Sequence, residues 1–151
     1  QNVTLSGTGR VVHGTRYAII NATDFQTSVS SRSNLRTQGR LIHDSASSTD
    51  YYCSLPIFAG INNTVTIRNV QFNAIHTTGT GNREYGFHYG TQTGTTQSDV
   101  EEQTAHNESN QVVTVDLTTD HTLLTARRYF LRWYATEQSD TLVSVVITYD
   151  S

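Results

Sequence analysis

The sequence predicts an all-β protein, an antiparallel β-sandwich or jelly roll of about nine strands. Apolar and polar residues alternate over many short segments, and no window of about 12 residues shows the 3.6-residue apolar period of a helix. The chain contains 25 threonines and 14 serines among 151 residues, and threonine favours strands. Polar turns separate the segments at spacings typical of two-layer antiparallel folds.

The predicted strands follow one another along the whole chain. In order they are Val3–Ser6, Gly9–Asn21, Arg40–His43, Tyr51–Phe58, Thr64–Ile75, Glu84–Tyr89, Gln111–Leu117, Arg127–Thr136 and Thr141–Tyr149. Within Thr64–Ile75 the apolar positions shift phase by one residue between Ile67 and Val70, which predicts a β-bulge.

Two pairs of consecutive strands are predicted to form hairpins. Residues 77–83 read as a turn between Thr64–Ile75 and Glu84–Tyr89, and residues 137–140 as a turn between the last two strands. Two long polar stretches, Gln26–Gly39 and Thr91–Asn110, are predicted to be loops. Loops of that length inside a compact domain usually carry function or are disordered.

Composition limits the classes of function. The length predicts one domain spanning residues 1–151, and no apolar run approaches the length of a membrane span. The net charge is −3, lysine is absent and the ten arginines are scattered, which argues against a nucleic-acid partner. A single cysteine excludes an intramolecular disulfide. The chain starts at Gln1, which favours a processed or excised chain.

No catalytic or metal-binding motif is visible. The six histidines show no H-x-H or H-E-x-x-H spacing and no neighbouring cysteine, so we expect no metal site and no cofactor. Glu84, Asp116 and Asp150 are the carboxylates considered for glycosidase chemistry, but the chain has one Trp and no aromatic-lined strand pair. We therefore predict a protein that is not an enzyme.

The most informative segment is residues 127–135. Alternation assigns Tyr129, Leu131, Trp133 and Ala135 to the core and places Arg128, Phe130, Arg132 and Tyr134 on the outward face. Arginine beside aromatic rings can stack and hydrogen-bond, so these four residues are the candidate ligand-binding set. The alternative is that a loop or a neighbouring subunit covers the rings while the arginines are solvated.

Four N-x-[ST] sequons occur, and Asn62 and Asn107 are the candidate N-glycosylation sites because both lie in predicted turns or loops. The segments Val113–Leu117, 123–126 and Tyr129–Tyr149 resemble the closing strands of jelly-roll head domains on phage and viral receptor-binding fibres. They are also similar to the end of β-sandwich carbohydrate-binding modules. The resemblance covers about a quarter of the chain and assigns no binding residue.

Two functions remain open at this point. The first is a non-catalytic recognition domain on the virion surface or outside the cell, binding a surface glycan or other receptor as a homo-oligomer, with a trimer expected for a fibre head. The second is a structural subunit of an extracellular filament, pilus or capsid, an open polymer joined through β-strand contacts.

Overall fold

The computed structural model describes residues 14–29, 34–59, 64–77, 81–105 and 111–151. The prediction of an all-β fold is confirmed, with eleven strands and a single 3₁₀ turn, Ala22–Asp24, in the described ranges. The strands are β1 (Thr15–Asn21), β2 (Asn34–Thr37), β3 (Arg40–His43), β4 (Thr49–Ser54), β5 (Thr66–His76), β6 (Arg83–Thr91), β7 (Gln97–Ala105), β8 (Gln111–Leu117), β9 (His121–Thr122), β10 (Arg127–Ala135) and β11 (Thr141–Asp150).

The strands form two antiparallel sheets. The seven-stranded sheet has the order β2-β3-β11-β5-β8, with β1 also paired to β11 and β9 to β5. The four-stranded sheet has the order β4-β10-β6-β7. The apolar faces of the two sheets enclose a common core, as expected for a sandwich.

Large aromatic side chains fill the space between the sheets. Trp133 is fully buried and stacks on Tyr51, with ring centroids 5.1 Å apart. Phe72 packs edge-on against Tyr85 at 5.3 Å. The predicted inner face of β10 is confirmed for Leu131, Trp133 and Ala135, whereas Tyr129 is half-buried at the end of the core.

The predicted bulge in β5 is confirmed. Residue Thr148 pairs with Asn69 and Tyr149 pairs with Ile67, so Arg68 has no partner on β11. The extra residue lets Ile67 and Val70 both reach the core, since a bulge resets the side-chain alternation of a strand.

Both predicted hairpins are wrong. The strand β5 belongs to the seven-stranded sheet and β6 to the four-stranded sheet, and likewise β10 and β11 lie in different sheets. Each of these connections therefore crosses the sandwich. The period-two pattern identifies the buried face of a strand but does not reveal whether the next strand lies beside it or across the core.

A buried ion pair joins the two crossing connections. Arg83 and Asp140 are both fully buried, and the guanidinium donates two hydrogen bonds to the carboxylate, at 2.9 and 2.8 Å. Arg83 also donates to the carbonyl oxygens of Gly81 and Thr77. Asp140 in turn accepts hydrogen bonds from the backbone N–H groups of Thr77 and Glu137. These bonds compensate the cost of burying two charges.

Each predicted long loop contains a strand. Within Gln26–Gly39 lies β2, which forms a hairpin with β3 through Gln38 and Gly39, both at positive φ, as a type I′ turn requires. Within Thr91–Asn110 lies β7, an edge strand paired only with β6 in the described residues. Its sequence lacks apolar alternation because the strand lies at the sheet edge, with Val100 and Ala105 as its only apolar residues.

The strand predicted over Tyr51–Phe58 ends at Ser54, because Pro56 follows and has no N–H to continue a ladder. The predicted strand Val3–Ser6 and the first part of Gly9–Asn21 lie outside the described residues. None of the described helical residues forms a segment long and apolar enough to cross a membrane.

Candidate functional site

The outer face of the four-stranded sheet brings the four candidate residues together with partners from three other strands. Arg128, Phe130, Arg132 and Tyr134 follow one another on β10, which lies between β4 and β6. The backbone register places Tyr52 of β4 and Gly86 of β6 on either side of Arg132.

Phe130 lies on the outer face but is not exposed. Only 8% of its surface is accessible, because the His88 ring stacks on it at 5.4 Å with an interplanar angle of 10°. Tyr52 contacts it edge-on at 5.8 Å, and the Arg128 guanidinium lies 5.7 Å from its ring centroid. Phe130 therefore faces outward as predicted, but little of its ring is exposed. Its role in ligand binding stays a prediction.

Arg132 is surrounded by carboxylates. Its Nε lies 2.6 Å from Asp50, and its Nη1 lies 2.6 Å from Glu84 and 2.9 Å from Glu102. We call these four residues the Arg132 cluster. Burial alone would lower the pKa of Arg132, but the hydrogen bonds and charges of the three carboxylates outweigh that effect and raise it. The three carboxylates thus more than balance the charge of the guanidinium.

Arg128 and Tyr134 are the first and the last of the four candidate residues on β10. Arg128 donates hydrogen bonds to the carbonyl oxygens of Thr91 at 3.1 Å and Gly94 at 2.9 Å, so its guanidinium holds the connection between β6 and β7. Tyr134 is half-buried, with Arg132 5.2 Å from its ring centroid. Both side chains retain surface that a ligand can touch.

A groove of about 480 Å³ lies at the Arg128 end of this face. Its lining combines three aromatic residues, several hydroxyl groups, one thiol, one amide and one cation, contributed by Ser28, Tyr52, Cys53, Ser54, Gln97, Arg128, Tyr129 and Phe130. Of the predicted site residues, it includes Arg128 and Phe130 but neither Arg132 nor Tyr134. We call it the outer-face groove.

Two groove side chains have raised pKa values. Burial, with a smaller effect from the charge of Asp24, raises the pKa of Cys53 to about 11. Its thiol is therefore protonated at neutral pH and is a poor nucleophile. Burial, reinforced by the nearby charge of Asp50, also raises the pKa of Tyr52, so its hydroxyl can donate a hydrogen bond at neutral pH.

A second cavity of about 230 Å³ opens at one end of the sandwich. Leu55, Ile57 and Leu124 form part of its wall together with Arg127 and the strongly exposed Phe58. This cavity is smaller and more apolar than the outer-face groove.

The carboxylates considered for catalysis do not form a pair. Glu84 belongs to the Arg132 cluster on the four-stranded sheet, whereas Asp116 and Asp150 lie on the seven-stranded sheet. Asp150 is ion-paired with Arg68, and Asp116 accepts hydrogen bonds from the side chains of neighbouring β5 residues. The candidate glycosylation residues Asn62 and Asn107 lie outside the described residues.

Sequence reasoning missed most residues that surround the candidate set. Tyr52, Gln97, His88 and Glu102 reach the outer face from β4, β6 and β7, strands far from β10 in the chain. No local signal indicated that these strands flank β10.

Comparisons with known proteins place the fold among carbohydrate-binding modules. No protein-family model matches the chain, and no curated protein matches it. The structure resembles the C-terminal family 6 carbohydrate-binding module of a laminarinase from the marine Zobellia galactanivorans, with a TM-score of 0.51 and 14% identity over 88% of this chain and 99% of that one. A second family 6 carbohydrate-binding module gives a TM-score of 0.52 and 10% identity over 85% of this chain and 90% of that one.

A similar fold occurs within a larger protein. The tryptic core of a Bacillus thuringiensis Cry1Da variant gives a TM-score of 0.54 and 14% identity over 87% of this chain, but only 23% of that chain is matched. The resemblance to β-sandwich carbohydrate-binding modules is thus confirmed for the fold. The resemblance to fibre heads stays a prediction.

Proposed function

We propose that this protein is a non-catalytic module that binds a saccharide in the outer-face groove. The observation that carries the proposal is the composition of the groove, where Tyr52 and Phe130 stand beside Ser28, Gln97 and Arg128. A pocket that combines apolar rings with a few placed polar groups suits a ligand with apolar faces and many hydroxyls. The fold shared with carbohydrate-binding modules supports the proposal, although fold alone does not determine function.

The charges beside the groove favour a neutral saccharide over an acidic one. Arg132, the cation at the centre of the face, is paired with three carboxylates. Those carboxylates repel an anionic ligand. We therefore expect affinity for neutral oligosaccharides that changes little with salt, because stacking and neutral hydrogen bonds are only weakly screened. In this proposal the module works outside the cell or on a virion surface.

Titration calorimetry against neutral oligosaccharides, selected from a glycan array, tests this function. Tyr52→Ala and Gln97→Ala should each weaken binding by at least about fivefold, the equivalent of roughly 1 kcal/mol. Tyr17→Ala is the matched control, because Tyr17 is a strongly exposed tyrosine on the other sheet. Unchanged binding by folded Tyr52→Ala and Gln97→Ala would exclude the groove.

A structural role as a filament or capsid subunit is the second candidate, and one observation favours it. On β1, Tyr17 and Ile19 are 71% and 73% exposed, and this strand pairs only with β11 among the described residues. An edge strand with exposed apolar side chains is suited to pairing with another copy. Light scattering over a concentration series tests it: growth that Ile19→Arg abolishes supports the subunit, and a constant monomer mass rejects it.

A further inference from the structure

His88 of β6 lies between two carboxylates of the neighbouring strand. Its Nδ1 is 2.7 Å from Asp99 Oδ1, and its Nε2 is 3.3 Å from Glu102 Oε2. A β-bulge in β7 produces this arrangement: Phe87 pairs with Glu101 and His88 with Asp99, so Val100 has no partner on β6. The extra residue places two carboxylates that are three positions apart on the same face.

The His88 ring is held in place and is almost completely buried. Its side chain is only 5% exposed, with Phe130 stacked on one side. On β6 it lies against Gly86, where a Cβ atom would overlap Nε2. The position of the ring therefore depends on a glycine two residues earlier in the same strand.

Neither ring nitrogen is satisfied by an ordinary hydrogen bond. Although both carboxylates are close, no described group accepts or donates a hydrogen bond of good geometry at Nδ1 or Nε2. The carboxylate oxygens thus lie off the axis along which each nitrogen would direct a proton. In a tetrahedral metal site the metal–ligand distance is about 2.0–2.1 Å, so two ligand atoms are about 3.3 Å apart. Each ligand atom directs its lone pair at the metal and not at the other ligand atom. The separation of 3.3 Å between Nε2 and Glu102 matches that spacing.

We propose that His88, Asp99 and Glu102 form a binding site for a divalent cation of the zinc class. One ligand atom from each residue lies within 4.8 Å of the others. Asp99 faces Nδ1 and Glu102 faces Nε2, and one ion binds only one of the two ring nitrogens. A change of rotamer at the exposed Asp99 would bring its carboxylate to the Nε2 side, beside Glu102. Imidazole with carboxylates suits Zn²⁺, Co²⁺ or Ni²⁺, whereas Ca²⁺ and Mg²⁺ prefer sites made only of oxygen. Three protein ligands leave a coordination position for water.

The local charge favours a cation in spite of the nearby guanidinium. The Arg132 cluster contributes three carboxylates, and Asp99 adds a fourth beside the same imidazole. Four negative charges against one positive charge leave a local excess of negative charge when the imidazole is neutral. Arg132 contacts Glu102 and therefore competes with the metal ion for this carboxylate. When Glu102 turns toward a metal, Arg132 remains ion-paired with Asp50 and Glu84.

Titration of the metal-free protein with Co²⁺, followed by visible absorption, and with Zn²⁺, followed by calorimetry, tests the site. Wild type should bind one equivalent of either ion in a saturable way, and excess Ca²⁺ should not displace it. Asp99→Asn should lower the affinity at least about tenfold, as even outer-shell losses do, and His88→Gln should lower it further. The control is Asp120→Asn, which alters a similarly exposed carboxylate in the connection between β8 and β9, strands of the other sheet, and should bind like wild type.

Asp99→Asn keeps the experiment decisive if His88→Gln fails to fold, because Asp99 is 63% exposed and its replacement leaves the core intact. Absence of saturable binding by wild type would overturn the proposal, as would an Asp99→Asn protein with unchanged affinity. The measurement contains no saccharide, so its outcome is independent of the proposed carbohydrate function.

Discussion

Asp140 holds Arg83 through both of its carboxylate oxygens inside the sandwich, at 2.8 and 2.9 Å, and thereby connects the β5–β6 crossing with the β10–β11 crossing. Because both side chains are fully buried, either charge left without the other would be poorly solvated. Removing one partner of such a pair is much more costly than replacing both.

Asp140→Ala should therefore lower the free energy of unfolding by about 3–5 kcal/mol. Urea denaturation at neutral pH measures the change. Asp120→Ala is the control, since Asp120 is 59% exposed and pairs with Arg68 on the surface. Its loss should cost less than about 1 kcal/mol. Equal costs for the two variants would contradict the structural role assigned to the buried pair.

Stability should fall in acid partly because of Asp140. Burial alone would raise the pKa of Asp140, but hydrogen bonds from Arg83 and from the backbone of Thr77 and Glu137 outweigh it and hold the pKa below its ordinary value. Below an ordinary aspartate pKa of about 3.9 the unfolded chain takes up a proton that the folded protein resists. The stabilisation is complete above that pH and is lost as pH falls through the lower folded-state pKa.

Denaturation measured from neutral pH to acid should show this loss in wild type and a smaller one in Asp140→Asn. Hydrogen bonds from Arg68 lower the pKa of the half-buried Asp150 as well. Asp150→Asn therefore serves as the comparison. Parallel acid profiles for wild type and Asp140→Asn would show that Asp140 does not titrate as the structure implies.

Arg132→Ala should be destabilised in a salt-dependent way. The substitution leaves Asp50, Glu84 and Glu102 close together without their shared cation, and we expect a loss of about 1–3 kcal/mol at low salt. Screening should reduce the difference from wild type at about 1 M NaCl, where the Debye length is about 3 Å. Thermal melts at low and high NaCl concentration measure the change.

Arg128→Ala is the matched control for that experiment, because Arg128 binds backbone carbonyl oxygens instead of carboxylates. Its destabilisation should be nearly independent of salt. A difference between Arg132→Ala and wild type that is the same at both salt concentrations would rule out repulsion within the cluster.

Gly86→Ala should displace the His88 ring, since the new Cβ atom would overlap Nε2. Overpacking of this kind costs about 1–3 kcal/mol, and urea denaturation measures it. The same change made in a His88→Ala background should cost much less, because the ring that clashes is gone. Strict additivity of the two substitutions would refute the steric explanation.

The sequence predicts those features of the fold that leave a pattern within a single strand. Ile67 and Val70 revealed the bulge in β5 because a phase shift is a local property of one strand. In contrast, Val100 is the extra residue of a strand whose two faces are both largely polar. It offers no alternation from which a shift could be recognised, so the sequence predicts a loop over Thr91–Asn110.

The candidate site was only partly predictable for a related reason. Alternation correctly placed Arg132 on the outer face of β10, but its partners Asp50, Glu84 and Glu102 come from positions 82, 48 and 30 residues away. Charge pairing across three strands depends on which strands are neighbours, and the packing of the whole core determines the strand order. The face interpreted as arginine-rich is consequently rich in carboxylates.

The pairing of β11 with both β1 and β5 has a consequence for biosynthesis. Residues 144–150 pair with residues 15–21 on one side and, within the same sheet, with β5 on the other. During translation β1 and β5 emerge well before their common partner β11. Until β11 emerges, the backbone N–H and C=O groups that pair with it have no partner strand. Folding dominated by such distant contacts is slow, and the waiting strands are exposed to wrong pairing with other chains. We therefore expect the seven-stranded sheet to be completed only after residue 150 has emerged from the ribosomal exit tunnel.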